Sequence, residues 1–201
     1  MNKFLFFLLV FVLPVFLSAQ EYDMKSYDWE QMPVLHTLSE EELKESHLIL
    51  KDKRVIEYVY EENNNLVIFE TRHQIVRVND DRSIEQFNKV YIPLGGVIEV
   101  KQIKARTIAQ GNAIIEIRPE NIKDMEISDY GLYKIFALEG LSKGTEIEYF
   151  YTFKKYVNYY ESEVFQKEAI VKNASIEIIS PENLVFISKS YNNFPDLTDT
   201  V

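Results

Sequence analysis

The chain has 201 residues, 46% of them hydrophobic, which is enough for one globular domain and too few for two large ones. Asp and Glu number 32 against 22 Lys and Arg, and the resulting net charge of −10 argues against nucleic acid and anionic lipid as partners. There is no cysteine, so disulfides and a thiol nucleophile are excluded and the core alone must hold the fold.

The first predicted element is a secretory signal peptide over residues 1–19. A lysine precedes the apolar run Phe4–Leu17, and small residues follow it up to Ala19. A transmembrane helix is the competing interpretation, but a run of 14 residues spans only about 21 Å against roughly 30 Å of hydrocarbon, and Pro14 interrupts it. We therefore expect cleavage after Ala19, no membrane span in the mature chain, and a periplasmic or extracellular location.

A polar leader with scattered aromatic residues is predicted over residues 20–44. Ser39 and Glu42 have the spacing of a capping box, which predicts a short helix reaching about Ser46. Trp29 and Met32 are expected to pack at the edge of the domain that follows.

The next predicted unit is a β-hairpin. Arg54–Tyr60 and Leu66–Val78 are typical strands, and residues 61–65 between them favour a turn. Asn79, Asp80 and Asp81 end the second strand, and a turn is preferred there to a calcium loop because no DxDxDG spacing follows. One helical turn is predicted over Ser83–Asn88, and β structure resumes at Val90–Ile92.

Residues 103–153 contain several strand-like runs. Alternation from Ile103 to Ala109 predicts a strand with one packed and one solvated face, and Gly111 marks a turn into a returning strand over residues 113–117. Leu132–Leu138 and Thr145–Lys154 are predicted to pair with each other across Gly140 and Gly144. Within the latter run, Glu146 and Glu148 are assigned to a solvated strand face rather than to a glycosidase-like pair of carboxylates.

These runs carry a family resemblance. The segments KART (104–107), IKDMEISDYG (122–131) and GTEIEY (144–149) resemble the DUF3857 family, and the likeness extends over about residues 45–190. Flanking segments also resemble it: LILKDKRVIEYV (48–59), FETRHQIVRVND (69–80) and VFQKEAIVKNASIEIISP (164–181). One departure is Ala169-Ile170, where the family often has proline.

The resemblance implies an all-β domain, an antiparallel β-sandwich of immunoglobulin-like or similar type, with one or two short helical turns. In this family such a domain precedes a transglutaminase-like domain in many secreted Bacteroidetes proteins. The domain is expected to cover residues 45–190 and to end in a polar tail over residues 191–201. Leu184–Ser188 is the last predicted strand.

The chain offers few candidates for chemistry. His36, His47 and His73 lack metal-ligand spacing, and His73 is expected to be a cross-strand packing or solvent-facing residue. We therefore predict no catalytic residue, metal ligand or cofactor site.

A tyrosine-rich run over residues 149–160 is the compositional oddity. Most of it is expected to be strand and core, but Tyr156, Tyr159 and Tyr160 lie past the alternating pattern and are the candidates for a partner surface.

Three hypotheses of function follow. The favoured one is a non-catalytic accessory domain of the kind that precedes a transglutaminase-like catalytic domain. The alternative is a stand-alone envelope module that binds a peptide, glycan or protein. An enzyme is disfavoured because the cysteine expected of the catalytic relatives is missing. The partner and the oligomeric state stay open.

Overall fold

The computed structural model describes residues 24–199, so the predicted signal peptide lies outside the described residues. The chain folds into two sheets with one short α-helix between strands. The elements in chain order are β1 (His47–Tyr60), β2 (Leu66–Val78), α1 (Asp81–Phe87), β3 (Lys89–Pro93), β4 (Val97–Ile108), β5 (Ile114–Glu116), β6 (Lys123–Ile127), β7 (Gly131–Ala137), β8 (Thr145–Tyr156) and β9 (Ala174–Ile179), with 3-10 turns at Glu42–Lys44, Gln110–Asn112 and Pro119–Asn121. The predicted all-β, sandwich-like fold with short helical turns is confirmed.

The larger sheet has six strands in the order β5-β4-β8-β2-β1-β9. β1 and β2 form the predicted hairpin, whose turn places Asn64 at φ 61°. Asn tolerates this left-handed conformation better than most residues. β4 and β5 form the second predicted hairpin, with Gly111 at φ 76° in its turn.

The smaller sheet, β3-β7-β6, packs against one face of the larger one. The main core between them consists of buried apolar side chains from both sheets: Ile49, Val76, Val78, Val90, Ile92, Ala105, Phe136, Leu138, Ile147 and Phe153. We call this side of the six-stranded sheet the core face. Because side chains alternate along a strand, every second residue of β2, β4 and β8 points to the opposite face.

The opposite face is covered by residues 24–38, which run across it without helix or strand. We call this segment the strap, and the sheet surface beneath it the strap face. Trp29 is buried there, against the middle of the face rather than at an edge of the sandwich. Met32 is 82% exposed, so its predicted packing is wrong.

The helical predictions are confirmed in part. α1 begins with a capping box, in which Asp80 accepts from the Ser83 backbone N–H at 2.8 Å and Ser83 Oγ accepts from Asp80 N–H. Ser39 and Glu42 also bond each other reciprocally, as their spacing predicted. The prediction that this helix reaches Ser46 is wrong, however. Only the 3-10 turn Glu42–Lys44 forms before the chain extends into β1.

Three strand predictions need correction. β7 does not pair with β8, because β7 joins β3 and β6 in the smaller sheet while β8 lies between β2 and β4. β9 pairs with β1 in parallel, an exception in an otherwise antiparallel fold. Leu184–Ser188 is not a strand; Val185 and Ile187 in that run are 90% and 100% exposed.

Candidate functional site

The strap face carries a row of buried polar side chains in place of the solvated surface predicted for it. Arg106, Glu146, Glu148 and His73 are each at most 3% exposed. The alternation predicted for the strands now assigned as β4 and β8 is correct. The prediction that one of their faces is solvated is wrong, because the strap covers that face. Burying charges is costly unless each one is paired, so the partners of these groups define the site.

The centre of the row is a chain of four side chains. The Tyr27 hydroxyl lies 2.8 Å from His73 Nδ1, His73 Nε2 lies 2.9 Å from Glu148 Oε1, and Arg106 Nε donates to Glu148 Oε2 at 2.6 Å. Cross-strand register explains the assembly: Arg106 of β4 is directly opposite Glu148 of β8. His73 of β2 lies opposite Phe150, two positions along β8 from Glu148 and on the same face. Of the two environments predicted for His73, cross-strand packing or solvent, the structure shows the first.

The protonation states follow from the partners. Burial alone would raise the pKa of Glu148, but the hydrogen bond from His73 and the charge of Arg106 outweigh it and hold that pKa below its usual value. Burial lowers the pKa of His73, so its ring is neutral at pH 7. Since Nε2 faces an ionised carboxylate, it must carry the proton, and Nδ1 accepts from the Tyr27 hydroxyl.

A hydroxyl, an imidazole and a carboxylate in series also describe a nucleophile with its base and orienting acid. Here burial raises the pKa of Tyr27 to about 12, so the phenol keeps its proton at neutral pH. Both nitrogens of His73 are engaged, and Glu148 is shared with Arg106. These contacts fix the strap to the sheet. The arrangement therefore suits a binding role better than a catalytic one.

A second buried carboxylate anchors the far end of the strap. Glu146 is fully buried; its Oε1 accepts from the His36 backbone N–H at 2.8 Å, and its Oε2 lies 2.8 Å from His36 Nδ1. Arg77 donates to the same Oε1 at 3.2 Å. Glu146 and Glu148 thus serve as two adjacent attachment points for the strap.

The core face carries its own ionic cluster beyond the end of the smaller sheet. Glu163, in the segment after β8, pairs with both Arg54 and Arg72, and Arg54 also donates to the Val164 carbonyl at 2.8 Å. The Arg54 guanidinium lies 3.9 Å from the centre of the Phe165 ring. This cluster attaches residues 163–165 to the sheet.

Tyr156, Tyr159 and Tyr160 lie at and beyond the end of β8. They are 74%, 87% and 91% exposed, so their predicted exposure is confirmed. Tyr149 and Tyr151, earlier in the run, point to the core face, and Tyr149 donates to Gln74 at 2.6 Å. The three exposed tyrosines thus follow one another at and just after the end of β8, where Tyr156 lies opposite Val67.

Two further properties concern residues 24–199. Within this range no three His, Cys, Asp or Glu side chains converge as metal ligands. No helix in the same range is long and apolar enough to cross a bilayer.

The family model of DUF3857, a domain of unknown function with a solved structure, matches residues 69–201. The chain belongs to the DUF3857 family. The match begins within β2 and takes in both sheets apart from β1 and the first three residues of β2, while the strap lies outside it.

Among solved structures, this DUF3857 chain is similar to a crystal structure from Parabacteroides distasonis described as a "putative protease". The TM-score is 0.54 at 12% identity, over 68% of this chain and 29% of the other. At that identity the likeness concerns the fold. The DUF3857 chain spans less than a third of the length of that relative. No curated protein matches the chain.

The buried acids are what the sequence interpretation of this DUF3857 domain missed. Glu146 and Glu148 look like solvated strand residues because nothing in β8 itself indicates a cover. A usable signal was present in the neighbouring strands, where Arg77, His73 and Arg106 occupy alternate positions that can oppose them. Only the sheet order brings these residues together.

Proposed function

We propose that this protein is a secreted or periplasmic accessory domain without catalytic activity, of the kind that precedes a transglutaminase-like domain in Bacteroidetes proteins. The observation that carries the proposal is DUF3857 membership over residues 69–201. A second observation agrees with it: the similar protein from Parabacteroides distasonis is more than three times as long as the part this chain covers. In such an arrangement the domain positions a separate catalytic unit or its substrate.

The polar groups of the strap face support a role without catalysis. His73 is 1% exposed and bonded on both ring nitrogens, and the neighbouring carboxylates are buried under the strap. A general base must reach a proton on the substrate, at hydrogen-bond distance or through one water. These groups do not meet that requirement while the strap is in place.

The experiment is an activity assay joined to a binding assay. Purified protein is incubated with a casein-type peptide mixture and with a glutamine–amine transamidation pair, and separately with the transglutaminase-like domain of a longer protein that carries a DUF3857 domain. We expect no turnover and measurable association with the catalytic domain. Thiol-independent peptide turnover that disappears in a His73→Gln variant would contradict the proposal.

A second candidate is a stand-alone envelope binding module for a peptide, glycan or protein. It is favoured by Tyr156, Tyr159 and Tyr160, which together expose large amphipathic rings in one stretch. Such rings bury much area at low entropic cost.

The two candidates are separated by a triple variant, Tyr156→Ala/Tyr159→Ala/Tyr160→Ala. Because all three side chains are exposed, the variant should keep the wild-type free energy of unfolding within about 0.5 kcal/mol each. The binding-module candidate requires that the variant lose capture of an envelope partner. Capture at wild-type strength would remove these tyrosines as its surface.

A further inference from the structure

The backbone of the strap is held by side chains rather than by backbone pairing. It forms no strand ladder with the sheet; instead, side chains of the sheet and of one turn bond its backbone. The strap groups bonded in this way are the N–H of Lys25 to Glu57, the carbonyl of Tyr27 to Gln102, the carbonyl of Glu30 to Arg106, the N–H of Leu35 to Asn112 and the N–H of His36 to Glu146. Contacts of this kind recognise an extended main chain whatever its side chains are.

Side-chain selectivity comes from two aromatic anchors. Tyr27 and Trp29 both pack edge-on against Phe150, at ring distances of 5.2 and 5.3 Å. The Arg106 guanidinium lies 4.1 Å from the centre of the Trp29 ring. Asp28, between the two anchors, is half-exposed and pairs with Lys104 at 3.0 Å. The face therefore fits an aromatic-x-aromatic segment in extended form.

The strap does not fill all of the space between its first residues and the sheet. A recess of about 70 Å³ opens beside Met24–Tyr27. On the sheet side it is lined by residues of four strands, including Lys53, Phe69 and Thr152. The recess thus lies between the first residues of the strap and the sheet, before the Trp29 anchor.

The groove and its occupant belong to different parts of the chain. Gln102, Arg106, Glu146 and Glu148 lie within the span that matches the DUF3857 family, whereas the strap lies outside it, as does β1 with Glu57. If the strap left the sheet, Arg106, Glu146 and Glu148 would lose their hydrogen-bond partners in the strap. That loss costs free energy unless another chain takes the place of the strap.

We propose that the strap face is a binding groove for an extended polypeptide, which residues 24–38 occupy in cis and an aromatic-x-aromatic segment of another protein occupies in trans. A polypeptide is favoured over a glycan because both main-chain N–H and carbonyl groups are bonded, at five positions from residue 25 to residue 36. This goes beyond the accessory role proposed above and does not depend on the catalytic partner.

The test uses the whole protein and a fluorescein-labelled peptide with the sequence of residues 24–38. A tethered strap competes at an effective concentration of about millimolar, so the wild-type protein should bind the peptide weakly. The Tyr27→Ala/Trp29→Ala variant loses both anchors of the strap but keeps the groove. We expect it to bind the peptide at least tenfold more tightly than wild type in an anisotropy titration.

The matched control is Met32→Ala/Val34→Ala, which changes two strap side chains that are 82% and 63% exposed. It should bind the peptide as weakly as wild type. A peptide that carries alanine in place of both aromatic residues should not bind the anchor-deleted protein. If that protein is folded by circular dichroism and binds the wild-type peptide no better than wild type does, the proposal is overturned.

A second measurement covers the case in which the anchor-deleted protein does not fold. A protease site inserted between Leu38 and Ser39 allows the strap to be cut after the wild-type core has folded. Labelled peptide should then exchange with the cut strap. A cut strap that stays bound through dilution, with no peptide uptake, would show an integral element of the fold and overturn the proposal.

Discussion

Arg106 is the residue on which the buried face depends most. Its guanidinium bonds Glu148, the carbonyl of Glu30 and the ring of Trp29, and it is 1% exposed. Removing one partner of a buried pair leaves an uncompensated charge, which costs more than the pair itself contributes. Most of the stability lost on removing Arg106 should therefore come from the Glu148 carboxylate, which stays buried without its cationic partner.

We predict that Arg106→Met lowers the free energy of unfolding by about 3–5 kcal/mol in urea titrations at pH 7. Lys104→Met is the matched control on the same face of β4, since its ion pair with Asp28 is half-exposed and should cost about 0–1 kcal/mol. The double variant Arg106→Met/Glu148→Met should regain part of the loss. Equal effects of the two single variants would contradict this account of the face.

The pH dependence of stability should report on His73. Burial lowers its folded pKa below the unfolded value near 6.5, so the unfolded chain takes up a proton first as the pH falls. The free energy of unfolding should then decrease from pH 7 towards pH 5, by at most about 1.4 kcal/mol per pH unit for each such histidine. The pKa of Glu148 is lowered in the folded state, so its contribution to the free energy of unfolding is lost only at more acid pH.

His73→Gln should reduce this slope in urea titrations at several pH values. Burial also lowers the pKa of His47, so His47 contributes separately to the slope of the free energy of unfolding against pH. His47→Gln should remove only the His47 contribution to that slope. A His73→Gln protein with the full wild-type slope would mean that another group titrates in this range.

At the scale of single elements, local signals were sufficient where the partner is close in sequence. The two hairpins follow from turn residues within a few positions of each strand, and the helical turn predicted over Ser83–Asn88 overlaps α1. The predicted partner of β8 was wrong because its true neighbours, β2 and β4, pair with it at positions 38 or more residues away along the chain. Alternation fixes which residues share a face but does not say what covers that face, and so the buried acids were missed.

The cap of α1 should contribute about 1 kcal/mol to stability. Asp80 accepts from the Ser83 N–H at 2.8 Å and from Ser46 Oγ at 2.7 Å, so Asp80→Ala removes the tie between the helix and the start of β1. Asp80→Asn keeps a capping oxygen and should recover most of the loss. Asp81→Ala, which removes only an exposed pair with Lys143, is the control and should be near neutral in thermal unfolding.

At the scale of the molecule, residues 24–199 form three layers, with the strap on one side of the six-stranded sheet and the smaller sheet on the other. Each layer is attached differently: the smaller sheet by apolar side chains such as Val90, Ile92 and Phe136, and the strap by buried ionic and main-chain bonds. The central strands β2 and β8 are thus covered on both faces and paired on both edges.

This arrangement predicts a gradient of amide hydrogen exchange. Amides in the middle of β2 and β8, around the buried Thr71–Thr152 hydroxyl pair at 2.8 Å, should exchange only through global unfolding. β6 pairs with one strand only and is exposed along most of its length, so it should exchange through local opening. Native-state exchange followed by mass spectrometry at increasing denaturant separates the two classes. The exchange rates of strap amides should fall between those of the two classes. The Tyr27→Ala/Trp29→Ala variant should accelerate exchange of the strap amides and change that of β8 less. Uniform protection across β6, the strap and β8 would instead mean that the three layers unfold as one unit.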